Sequence, residues 1–178
     1  MSKSISAAFS IVSMSFVYTW MLFTFLQGFE FLVPPEIAIA YRLRTTVISQ
    51  MAFIFGEILL NYGNHSILTA AMWFATSFIV GFNLENKSQV FLTAFFALFF
   101  VGFFHTLVVF TDVYLNIPEV FRSPEKILNI AMMIINDVRP VLIPHFIIIT
   151  IGSGFGFGLS EKLLAIEEET EESEITLP

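Results

Sequence analysis

The chain has 178 residues, 56% of them hydrophobic, 16% aromatic and only 13% charged, with 23 Phe and a mean hydropathy of +0.81. A soluble domain of this size carries about twice that charged fraction, and the absence of cysteine excludes disulfides, thiolate metal sites, CxxC haem attachment and cysteine nucleophiles. The formal charge of −7 is local, because residues 161–178 hold nearly all of it in seven Glu against one Lys.

In chain order, the first apolar stretch covers 7–33, after Lys3. It is far longer than a signal-peptide core of about 7 to 15 residues and lacks a clear small-residue cleavage site, so it reads as a retained membrane span. Pro34 and Pro35 end it, since neither can extend a helical hydrogen-bond ladder. Tyr41, Arg42 and Arg44 then form an interfacial collar with side chains long enough to snorkel toward headgroups. A second span is expected over 45–60 and a third, short one over 66–82, joined as an antiparallel hairpin by the polar turn at 61–65.

The strongest span is 90–115, an apolar Phe-rich run reaching roughly 39 Å as a helix, against about 30 Å of bilayer hydrocarbon. A loop follows, in which Ser123 and Pro124 suit the cap and first residue of a new helix. The last apolar stretch, 127–159, would measure roughly 50 Å if straight. It is interrupted by Asn136, Asp137, Arg139 and Pro140, and a kink near 136–140 is expected. The fold expected is therefore an all-α integral membrane protein, a bundle of about five transmembrane helices (range four to six) over 1–160, with an acidic solvent-exposed tail over 161–178.

Ionisable groups inside apolar spans are the candidates for chemistry, because each is costly unless partnered or hydrated. Gln50 and Glu57 lie seven residues apart, close to two helical turns, and so share a face; His105 and Asp112 repeat that step. Folding the last two spans antiparallel would bring Asp112 level with Asp137 or Arg139, and His105 roughly level with His145. Two rungs follow from this: an ion pair between Asp112 and Arg139 near one interface, and His105 facing His145 deeper in. Facing histidines suit axial ligation of a b-type haem, or a divalent metal with Glu57 as third ligand. Along this one helix, His105 with Asp112 and Tyr114 resembles the haem histidine and Asp–Tyr pair of succinate dehydrogenase membrane anchors, with a different spacing. No function is carried over from it.

Gly152, Gly154, Gly156 and Gly158 form two overlapping small-xxx-small patterns, the signature of close helix packing. The tail is rich in Glu and poor in apolar residues, as expected of a solvated end, with docking to a basic partner surface as the functional alternative. Order of the tail as far as Pro178 would favour docking, because an isolated acidic end should fray. Cations split almost evenly between the two sides, leaving a slight preference for the tail on the cytoplasmic-equivalent side. Walker, GxGxxG, HExxH and GxSxG motifs are absent, as are basic stripes for nucleic acid.

These features lead to a small integral subunit of a larger, hetero-oligomeric membrane complex, of respiratory or redox type, without catalytic activity of its own. It would contribute helix packing, contact membrane lipid and help confine a cofactor or quinone. The alternatives are a proton- or cation-coupled transporter or channel using Glu57, His105, Asp112 and Arg139, and a metalloenzyme or b-haem protein using His105 and His145.

Overall fold

In the computed structural model, residues 2–27, Met51 and 66–175 are described. They form four long helices: α1 (Ser2–Gln27), α2 (Ser66–Gly81), α3 (Lys87–Asn116) and α4 (Pro124–Ile175), with a 3-10 turn (Pro118–Arg122) between the last two. No strand occurs among the described residues. Three helices, α1, α3 and α4, are long and apolar enough to cross a membrane, while α2 carries a shorter apolar stretch, Thr69–Gly81. Gln50 and Glu57, and the span expected over 45–60, lie outside the described residues.

Helix boundaries follow local chemistry. Asn86 caps α3: its side-chain oxygen accepts the backbone N–H of Gln89 at 3.0 Å and the Ser88 hydroxyl at 2.7 Å. The Gln89 side chain in turn accepts the Glu85 N–H at 2.8 Å, so two donors at the helix entrance are satisfied together. This cap sets the start of α3 at Lys87, three residues before the apolar run. At the other end, α4 starts with Pro124 as its first residue, where a missing N–H costs nothing.

The helix α4 runs unbroken from Pro124 to Ile175, 52 residues or roughly 78 Å, with Pro140 and Pro144 inside it. It therefore passes through the polar interruption at 136–140 and continues as helix into the acidic segment, where residues 161–167 are exposed.

Directions are fixed by cross-helix contacts. Ser15 and Thr19 of α1 meet Thr76 and Met72 of α2, an antiparallel order. Lys3 at the start of α1 pairs with Glu85 just beyond the end of α2. On α4, Ser160 donates to the Phe82 carbonyl at 3.2 Å, so α4 ends on that same side. The described helices thus alternate up, down, up, down, with Lys3, Glu85 and Ser160 at one level. Among the described helices, α1 and α2 run in opposite directions, and α1 and α3 run the same way. Ser160 of α4 consequently lies on the same side of the described bundle as Lys3 of α1.

Small residues and short aliphatics make the core. Ala8, Ile11 and Val12 of α1 lie buried with Ala94, Ala97 and Val101 of α3, while Trp73 of α2 and Ile149 of α4 fill the centre. The outer faces carry large apolar side chains, Phe95, Phe99 and Phe103 among them, each more than half exposed. That inversion, with small residues inside and Phe outside, is the pattern of helices packed in lipid.

Candidate functional site

Two features occupy the interior of the described bundle, a seam of bare backbone and a set of buried hydroxyls and histidines. The seam joins α2 to α4. A Cβ on Gly152 would lie 2.7 Å from the Phe74 carbonyl oxygen, and one on Gly156 would come closer still to that of Phe78. Gly81 of α2 answers with the same bareness against the Ser153 carbonyl. Residues four apart on each helix thus meet four apart on the other, allowing the backbones to touch. The remaining two glycines of the stripe differ. Gly154 faces Val90 of α3 across an ordinary 3.9 Å, and Gly158 has open space where a Cβ would go.

Hydroxyls line the α1/α2 contact. Ser15 and Thr76 are 3.2 Å apart across the interface, and the Thr19 hydroxyl donates to the Met72 sulfur at 3.3 Å and to the Ser15 carbonyl at 2.8 Å. Ser77 donates to the Trp73 carbonyl, and Ser153 to that of Ile149 at 2.6 Å. Sequence reading missed this layer because Ser and Thr scattered through apolar helices carry no motif. Their spacing, with Ser15 and Thr19 on α1 and Thr76 four residues from Met72 on α2, is the only signal.

His145 is 2% exposed. Its Nδ1–H donates to the Val141 carbonyl at 2.8 Å, one turn back, which assigns the proton of the neutral ring to Nδ1. The ring stands edge-on to Trp73, with centroids 5.6 Å apart at 88°. His105 is also buried, on α3.

The register of α3 against α4 decides which expected partners meet. Val90 lies against Gly154, and Gly102 and Thr106 share a groove with Val138 and Leu142. Counted from these contacts, His105 is level with Arg139, and His145 lies about six residues, or roughly 9 Å, further along α4. Asp112 is displaced by a comparable distance the other way, level with Met132. Arg139 is exposed and Asp112 half-buried. Among the described residues, Lys3 pairs with Glu85, and both are exposed. Asp137 lies on α4 two residues before Arg139. No three His, Asp or Glu side chains come together as a metal cluster among the described residues, and Glu57, the third ligand expected for a metal, is not one of them.

Between α3 and α4 lies a cavity of about 470 Å³, open to the outside and almost wholly apolar. Phe95, Leu98, Phe99, Gly102, Phe103 and Thr106 form one wall; Val138 and Leu142 form the other. No family model matches the chain, and no curated protein or solved structure is significantly similar to it.

Proposed function

We propose that this protein is an integral scaffold subunit of a hetero-oligomeric membrane complex, which holds its partner through the acidic extension of α4. The observation that carries this reading is the continuity of α4. Its uncharged stretch from Pro140 to Ser160 measures roughly 31 Å, matching the hydrocarbon core, and the helix then continues to Ile175, about 22 Å further. Over that extension, Glu167 and Glu171, and Glu168 and Glu172, are four residues apart. Like charges at that spacing repel and destabilise an isolated helix. A basic surface on a partner would offset the repulsion and hold the helix in place, and the unbroken backbone would link that surface to the membrane bundle.

The interior fits the same role. Bare-backbone and hydroxyl contacts close the described helices against one another. The test is gentle detergent extraction followed by native mass measurement of the full chain and of a chain ending at Ser160. A stable heteromeric assembly that loses its partner on truncation, and that dissociates as salt rises, is the expected result. A monomer or homo-oligomer from both chains would overturn the proposal. A visible spectrum on the same samples reads out the haem alternative directly.

A further inference from the structure

We infer that the groove between α3 and α4 is a binding site for an anionic phospholipid, with one acyl chain in the groove and the headgroup phosphate on Arg139. The groove wall on α3 runs from Phe95 to Thr106, roughly 16 Å, close to the depth of one leaflet of a 30 Å hydrocarbon core. Its lining is aromatic and aliphatic, and Gly102 sits at its floor with nothing within 4 Å of where a Cβ would stand. The missing side chain leaves a depression beside the exposed rings of Phe99 and Phe103, which stack on each other at 6.2 Å, and an acyl chain fills it.

The charge at the mouth selects the headgroup. Arg139 follows Val138 and lies three residues before Leu142, so it borders the groove on the same helix. It is exposed, while Lys3 and Glu85 pair elsewhere. Measured from the level of Lys3, Glu85 and Ser160, Arg139 lies about 31 Å along α4, a distance close to the thickness of the hydrocarbon layer. A guanidinium at that depth meets phosphate oxygens, for which its fork of donors is well matched. From there the groove descends toward the middle of the bilayer, so a single lipid can satisfy both ends.

The test is native mass spectrometry of the delipidated full-length protein in detergent, titrated with phosphatidylglycerol or phosphatidylcholine. The wild-type chain should retain one phosphatidylglycerol in preference to phosphatidylcholine. Arg139→Gln should lower that preference about five-fold, the scale of one basic side chain at an anionic headgroup. Gly102→Leu should abolish retention of both lipids by filling the groove, while leaving helical content by circular dichroism unchanged. Thr106→Leu, on the same wall, serves as a second groove-filling variant. Arg122→Gln, outside the groove, should leave binding as in the wild type. Undiminished preference in Arg139→Gln, undiminished retention in both groove variants, or an equal loss in Arg122→Gln would each overturn the assignment. Failure of the heteromeric assembly would leave this result untouched, because the titration uses the chain alone.

Discussion

Gly156 of α4 lies so close to the Phe78 carbonyl of α2 that no side chain could stand between them. Helix backbones in this contact gain dispersion across a long flat surface, which in lipid replaces the hydrophobic drive that holds soluble bundles together. Gly156→Ala must therefore push the helices apart, because the atom it would meet is backbone and cannot rotate away. A loss of about 1–3 kcal/mol is expected, the usual scale of overpacking. Gly158→Ala provides the contrast. It meets open space and removes a poor helix former, so it should be neutral or stabilising by up to about 1 kcal/mol. Thermal unfolding of both variants in one detergent measures the difference, and equal behaviour would mean that α4 does not pack on α2 through this face.

Ser15 and Thr76 bridge α1 and α2 at 3.2 Å, while Thr76 also donates to carbonyls of its own helix. Hydrogen bonds between membrane helices are worth only about 0.6 kcal/mol on average, since the separated helices find other partners. Ser15→Ala and Thr76→Val should each cost little. The expected coupling in a double-mutant cycle is of that same size, about 0.6 kcal/mol. Coupling indistinguishable from zero would assign the contact between α1 and α2 to packing alone.

Much of this architecture is legible in the sequence, because its determinants are local. The apolar run at 90–115 lies within α3, Ser123 and Pro124 mark the entrance to α4, and the glycine stripe does hold a close helix contact. Register and direction are not local. The offset between α3 and α4 depends on which glycines of the stripe face α2 and which face α3, and four glycines at alternate positions do not reveal that split. The direction of α2 is set by Ser15, Thr19, Thr76 and Met72, whose pairing has no sequence signature. The extent of α4 was hidden for a different reason: Pro140 and the acidic segment both argue against helix, and neither stops it in the structure.

The Lys3 ammonium donates to Glu85 and holds its carboxyl below the usual carboxylate range, with Gln89 adding a further hydrogen bond. A depressed value in the folded state means that Glu85 contributes stability above its unfolded value, near pH 4.3. The contribution is lost as pH falls through the lower, folded value. Wild type should therefore unfold at a higher temperature than Glu85→Gln at pH 7, and the gap should close below about pH 4. Both groups are exposed, so added salt should narrow the gap at neutral pH as well. A gap that persists at low pH, or ignores salt, would rule out the ion pair as its source.

The edge-on contact between His145 and Trp73 separates a packing role for this histidine from a ligand role. His145→Phe keeps a ring of similar shape against Trp73 and gives up the Nδ1–H bond to Val141, whose carbonyl retains the helix for a partner. His145→Ala removes the ring altogether from a site only 2% exposed. A packing role predicts a small loss for the first and about 2–4 kcal/mol for the second, combining the cavity with the lost ring pair. Trp73 reports locally once Trp20→Phe has removed the other indole, and its emission should shift in the Ala variant but not in the Phe variant. Ligand binding predicts a different order: both substitutions would abolish metal or haem retention equally, and a Soret band present in the wild type would vanish from each. Stability therefore ranks the two variants apart if His145 is there to pack, whereas cofactor content ranks them together if it is there to coordinate.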